Sequence, residues 1–338
     1  MNRKIHLDVS LPPVSLKEVP AIAAAMEEMR FDGLWSPETQ HDPFLPLALV
    51  AEHTNEMCFG TAVAIAFARS PANVAHIAWD LAAASQGRFI LGLGTQVKPH
   101  IERRFGMPWP ESPAGKLREF VLAVRAFWSA WQGDGRLDYR GEYYKLTLMT
   151  PFFNPGPIEH PDIPIYLAGV NPGLCRLTGE VADGFHIHPL HTERYLREVV
   201  RPAIAEGARR GDRDEGKIQL STSTFVVTNT QQEIFVRSQI AFYASTPSYR
   251  RVMSLHGWDD AAEELSSLAR QGEWEAMSDL VDDEMLATFA VVEKPDALAG
   301  AIQERYAGLV DRITPYWSFH PGDDDDFWRV LVDEWRRT

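Results

Sequence analysis

Cysteine is nearly missing from this chain: Cys58 and Cys175 are the only two in 338 residues. Neither stands in a metal-binding or redox spacing. That excludes a disulfide framework and fits buried free thiols in a reducing compartment. Long apolar runs are missing as well. No stretch approaches the roughly 18 apolar residues of a membrane span. Met1 to Asp8 has no apolar core of the kind a signal peptide needs. The expectation is a cytoplasmic protein with no membrane partner. Positive charge is in deficit, since 33 Lys and Arg against 47 Asp and Glu leave a net charge of −14. A nucleic-acid partner would demand a basic face, so none is expected. Glycine is absent between Asp8 and Pro13, so no dinucleotide-binding fingerprint follows the first predicted strand. There is no internal repeat, and the one low-complexity segment is the four aspartates 323–326.

What is there is a rhythm. Apolar residues make up 45% of the chain and charged residues 24%, ordinary for a globular protein long enough to bury a large core. Short apolar runs alternate with helical stripes such as Ala21, Ile22, Ala25, Met26 and Met29. The run 57–67 is apolar throughout, as expected of a parallel strand buried on both faces. Strands are predicted over 4–11, 33–36, 57–67, 88–93, 163–168, 184–188, 217–228 and 309–317. Eight parallel strands with intervening helices predict an α/β fold of the (β/α)8 TIM-barrel type, with an open doubly wound sheet as the alternative. The whole chain, 1–338, reads as one domain, with a hairpin inserted near 136–160 and a helical insertion near 245–283.

In such a barrel the loops after the strands share one face, so their residues belong together. Gly87 to Gln96 is a buried strand ending in Gly94-Thr95-Gln96, where missing Cβ atoms let a flat or charged group approach. An ordinary core strand with a turn glycine would read the same way. Ala168-Gly169-Val170-Asn171-Pro172-Gly173 precedes a predicted helix, whose N-terminus suits a phosphate; a plain β–α turn is the bland alternative. His186 and His188 lie on one face of a strand, a spacing that metals accept. The carboxylate partners of a metallohydrolase are not in evident positions, and no metal is expected. Glu38, His41 and His100 stand in strand-end loops and are candidate proton handlers, although loop histidines are often simply solvated.

Taken in series, several segments resemble the luciferase-like monooxygenase superfamily, in particular its coenzyme F420-dependent oxidoreductases. They are Phe31-Asp32-Gly33-Leu34-Trp35, Gly60-Thr61-Ala62-Val63 with Arg69-Ser70-Pro71, Ser85 to Gln96, and Ala168-Gly169-Val170 with Gly179 to Gly184. The resemblance implies a deazaflavin ring in the barrel mouth, against a non-prolyl cis peptide at Ala62–Val63. It implies cofactor contacts at Ala62, Val63 and Ile65, and phosphate contacts at Thr95, Gln96, Ala168, Gly169 and Val170. Glu38 matches the acidic residue beside the ring and His100 a polar contact of the cofactor. Two departures limit the carry-over. Thr39 stands where many relatives have histidine, with His41 two residues later. Val97 stands where the sugar-phosphate dehydrogenases have a catalytic glutamate. The expected activity is hydride transfer between F420 and a small organic substrate. An FMN-dependent monooxygenase, a cofactor-free binding protein and a metal-dependent hydrolase remain as alternatives. The resemblance also implies a homodimer.

Overall fold

The computed structural model describes residues 4–133 and 135–337. The first strands are β1 (His6–Ser10), β2 (Gly33–Ser36), β3 (Cys58–Thr61), its continuation β4 (Ala64–Ile65), and β5 (Phe89–Gly94). A surface hairpin follows, β6 (Tyr139–Arg140) and β7 (Lys145–Leu146). The rest are β8 (Ile165–Gly169), β9 (Gly184–Ile187), β10 (Gln219–Val227), β11 (Ala290–Val292) and β12 (Arg312–Pro315). Pairing runs β1–β2–β3–β5–β8–β9–β10–β12, and β12 returns to β1 with His6 opposite Arg312. The eight parallel staves therefore form a closed TIM-type barrel rather than an open sheet.

Two differences from the sequence pattern have local causes. The run 57–67 is not one strand. Gly60 pairs with Ile90 and Ala64 with Leu93, so one stave carries an extra residue relative to its neighbour. The interruption falls at Ala62–Val63, whose peptide bond is cis. The second difference is β11, which lies parallel to β10 through Phe225 opposite Ala290. Three residues wedged between the helices Asp283–Phe289 and Pro295–Tyr306 are too few to show a strand period. The helical insertion spans the helices Arg250–Leu255, Asp259–Gln271, Trp274–Asp279 and Asp283–Phe289, so it reaches six residues beyond the expected end.

Helix starts follow local chemistry. Ser70, Ser112 and Asn171 each accept a backbone N–H of the turn they cap, and each is followed by a proline in that turn. Side-chain alternation then divides the strands. Val9, Leu34, Phe59, Leu91, Leu167 and Phe185 face outward and are buried against the helices. The inward faces carry a separate small cluster, Trp35, Ile90 and Tyr166, together with polar groups. Among the described residues no helix is long and apolar enough to cross a membrane.

Candidate active site

The barrel interior is polar where β1, β2 and β12 meet. Asp8 is fully buried and accepts two hydrogen bonds from Arg312, Nε to Oδ2 at 2.7 Å and Nη2 to Oδ1 at 2.7 Å. Trp35 Nε1 donates to Asp8 Oδ2 at 2.9 Å, and Arg312 Nη2 approaches Cys58 Sγ at 2.8 Å. Burial pushes the Cys58 thiol up to about 11, so it stays protonated. Trp35 packs edge-on against the His186 ring at 4.7 Å, and Tyr166 lies 5.1 Å from the same ring. Burial, assisted by the Arg312 charge, lowers the His186 pKa to about 3 and keeps the imidazole neutral. His186 Nε2 and Thr314 Oγ1 are sealed from solvent and have no hydrogen-bond partner among the described residues.

Above this floor the side chains become small. Asp8, Gly60, Tyr166 and Ser221 lie on the inward face; two residues mouthward stand Ser10, Ala62, Ala168 and Ser223. All four of the latter are half-buried, so they line the opening. The neighbouring glycines are required by space. A Cβ on Gly92 would lie 1.8 Å from the Thr61 carbonyl oxygen, and one on Gly94 would lie 2.6 Å from Val63 Cγ2. Thr61 Oγ1 meanwhile holds both the Gly92 carbonyl and its N–H, at 2.6 and 2.9 Å. The cis Ala62–Val63 segment is thus seated directly on a glycine-thinned β5.

The residues singled out from the sequence have different fates. Glu38 is well buried: its Oε2 accepts the Ile65 N–H at 2.7 Å and Arg69 Nη1 at 2.6 Å. Arg69 also reaches Asp42 Oδ2 at 2.8 Å, which pins the loop after β2 to the chain after β4. Ile65 contributes that backbone contact only, because its side chain is buried in the core between barrel and helices. His41 is exposed and lines a separate apolar cavity of about 220 Å³ with Leu11, Pro13 and Leu45. His100 is exposed on the short helix Lys98–Arg103, which Arg104 fastens to the Thr39 carbonyl at 2.7 Å. No hydrogen bond joins Glu38, His41 and His100 to one another among the described residues.

Thr95 and Gln96 are half-buried at the mouth, with Gln96 in the left-handed region at φ 60° and its Oε1 accepting the Val97 N–H. Ala168 and Gly169 end β8, and the helix Pro172–Val181 begins three residues later. Its first turn gives the Leu174 N–H to Asn171 Oδ1 at 3.0 Å. Val170 is buried, and its carbonyl accepts Tyr195 OH at 2.8 Å. Among the described residues no group of three or more His, Cys, Asp or Glu gathers where a metal could be held.

The sequence pattern missed an aromatic wall. His188, just past β9, stacks on Tyr249 at 4.1 Å and meets Tyr243 edge-on at 4.6 Å. Tyr243 OH lies 2.5 Å from Tyr316 OH, and Tyr316 packs on Phe225 at 4.9 Å. His188 and Tyr316 follow strands and are legible as mouth residues. Tyr243 and Tyr249 come from the helix after β10 and its extension, where nothing in the sequence marks them. A larger cavity, about 710 Å³, lies at the opposite end of the barrel, between Arg197, Ile218, Leu309 and Val310. Strand-end loops do not reach it, so its size gives it no claim to the chemistry.

Comparison with known proteins agrees with this geometry. The nearly full-length barrel of the coenzyme F420 dependent tetrahydromethanopterin reductase from Methanopyrus kandleri superposes with a TM-score of 0.79 at 22% identity, covering 98% of this chain and 97% of that one. An uncharacterized protein of Mycobacterium tuberculosis is 47% identical over 319 residues, 93% of each chain. The F420-dependent glucose-6-phosphate dehydrogenase 1 of Rhodococcus jostii is 32% identical over 206 residues, 59% of each. The family model described as luciferase-like monooxygenase matches residues 4–312. A closed barrel whose mouth carries the segments of that family, matched over nearly its whole length, belongs to the luciferase-like monooxygenase family.

Proposed function

We propose that the chain is a coenzyme F420-dependent oxidoreductase, passing hydride between the deazaflavin and a small organic substrate at the barrel mouth. The observation that carries this reading is the layer Ser10, Ala62, Ala168 and Ser223, four small half-buried residues that leave room for a flat ring. The helix Pro172–Val181 begins at the same rim, and its N-terminus suits a phosphate. The F420 dependence named for the Rhodococcus jostii and Methanopyrus kandleri proteins supports the choice of cofactor.

In this reading Ala62 and Val63 back the ring, Thr95 and Gln96 border it, and Ala168, Gly169 and Val170 hold the phosphate. When bound, the cofactor supplies the hydride chemistry, and the protein supplies position and proton management. Glu38 acts by position, because its bond to the Ile65 N–H and its ion pair with Arg69 fix the chain beside Val63. His100, exposed on the short helix beside the mouth, is placed to touch the cofactor's polar parts, and His41, exposed in the loop after β2, stands further out. His186 under the small layer is neutral and adds no charge to that of the Asp8–Arg312 pair on the same floor.

The test is a titration of purified protein with F420 and with FMN, followed by fluorescence quenching. Micromolar binding of F420 is expected. Micromolar binding of FMN with none of F420 would replace this reading by a flavin monooxygenase, and binding of neither by a cofactor-free protein. Gly94→Ala drives a Cβ into Val63 and should weaken F420 binding at least about tenfold while the far-ultraviolet dichroism is kept. A homodimer is part of the same proposal, read by light scattering against the 38.1 kDa chain.

A further inference from the structure

Two histidines on the inner face of one stave behave differently. The free nitrogen of His186 is sealed, so no ligand reaches it without rearrangement. His188, two residues nearer the mouth, is half-buried, and its Nδ1 accepts the Leu190 N–H at 3.1 Å. A neutral imidazole accepting at Nδ1 must carry its proton on Nε2. Burial, with His191 nearby, lowers the pKa of His188 to about 3, so the neutral form prevails across the usual range. Among the described residues Nε2 has no hydrogen-bond partner, and unlike that of His186 it is not sealed from solvent. His188 thus presents one fixed N–H donor at the mouth.

The surroundings of that donor limit what it meets. Its ring lies between Tyr249, stacked at 4.1 Å, and Tyr243, edge-on at 4.6 Å. The Tyr243 and Tyr316 hydroxyls share one hydrogen bond at 2.5 Å, and Tyr316 OH lies 3.5 Å from Gln239 Oε1, which accepts from it. Burial raises both phenol pKa values, as it does that of Tyr249, which goes up to about 12; beyond burial, the groups that act on Tyr243 and Tyr249 are other tyrosines. Among the described residues no cation–ring contact involves these rings. An aromatic wall whose open donors, His188 Nε2–H and the Tyr249 hydroxyl, are neutral and which has no matched cation favours an uncharged ligand over an anion.

We infer that His188 Nε2–H is a substrate-binding donor, and that the compartment of His188, Tyr243, Tyr249 and Tyr316 takes an uncharged, flat compound bearing a carbonyl or hydroxyl oxygen. The inference rests on the barrel mouth being the reaction site, as proposed above, and it names the substrate class for that site.

Acetophenone and α-methylstyrene are close in shape and differ in the oxygen. Their binding to the full chain without cofactor is read by tyrosine and tryptophan fluorescence. The His188 imidazole is followed by 15N NMR. Acetophenone should bind about tenfold tighter than α-methylstyrene, one hydrogen bond's worth. The preference should fall below twofold in His188→Phe, which keeps a ring against Tyr249, and the Nε2 resonance should move on adding acetophenone to the native protein. Benzoate should bind no better than α-methylstyrene. Equal binding of the two neutral probes, an unchanged ratio in His188→Phe, or preferred binding of benzoate would each overturn the inference. Should His188→Phe fail to fold, the Nε2 resonance of the native protein decides. The probes are added without cofactor, so a protein that binds neither F420 nor FMN yet prefers acetophenone refutes the cofactor and keeps the donor.

Discussion

Arg312 is a full charge inside the barrel, balanced by Asp8. Burial alone would lower the Arg312 pKa, but Asp8 outweighs it and raises the value above normal. Such a pair contributes little net stability against an apolar pair of equal volume, because both ions lose their hydration. Breaking it is another matter. Asp8→Ala should leave the guanidinium buried beside the Cys58 sulfur and the Trp35 ring without its carboxylate partner and cost about 3–5 kcal/mol, while Asp8→Leu with Arg312→Met should cost distinctly less. Urea unfolding of the two variants decides, and equal losses would refute the argument. The sequence places Asp8 inside the predicted strand 4–11 but gives no hint of its partner, which is 304 positions away and reads as part of another strand. Glu38 shows the same limit. Its type and position suggest an acid, yet only the folded chain brings Arg69 and the Ile65 N–H to its oxygen. Residue types can be read locally; which groups are already satisfied cannot.

At the scale of elements, regular periods were legible and interruptions were not. The terminal helix Asp325–Arg337 follows from its apolar positions Trp328, Leu331, Val332 and Trp335, spaced for one face and all buried. The stave 57–67 reads as continuous because Ala62 and Val63 are as apolar as their neighbours, and apolarity does not encode a register shift. The terminal helix is fastened by groups that the pattern leaves silent. Arg336 Nη2 reaches Asp32 Oδ1 at 2.9 Å, the Leu7 N–H reaches Asp32 Oδ2 at 2.8 Å, and Trp335 Nε1 donates to the Ile5 carbonyl at 3.1 Å. Burial pushes the Asp32 pKa up, but hydrogen bonds from His6, Leu7 and Arg336, with the Arg336 charge, bring it down to about 2. A carboxylate depressed from 3.8 stabilises the fold above that value and loses its contribution as pH falls toward 2. Asp32→Asn should therefore cost on the order of 2 kcal/mol at pH 7. The gap to the native protein, measured by urea unfolding, should narrow between pH 4 and pH 2. A gap constant over that interval would assign the effect to packing.

For the molecule as a whole, the count of alternating elements made the barrel legible, and serial family segments marked one end of it as the site. What they could not convey is that the interior is polar below, small in the middle and aromatic on one side, since that gradient arises only when eight staves are brought into register. The gradient also says where a ligand can act on stability. A ligand that binds only the native mouth stabilises by about 2.7 kcal/mol at a hundredfold excess over its dissociation constant. Unfolding entropy scales with length at about 2.1 cal/mol/K per residue, so a chain of 338 residues should gain roughly 4 °C in Tm. F420 at that excess should produce this shift in the native protein and a clearly smaller one in Gly94→Ala at the same concentration. Arg201→Ala, in the large cavity at the far end, should leave the shift intact even where it lowers the starting Tm. The comparison separates mouth binding from binding in the far cavity and from general stabilisation, because a ligand seated in the far cavity would lose its effect in Arg201→Ala and keep it in Gly94→Ala, and general stabilisation would persist in both.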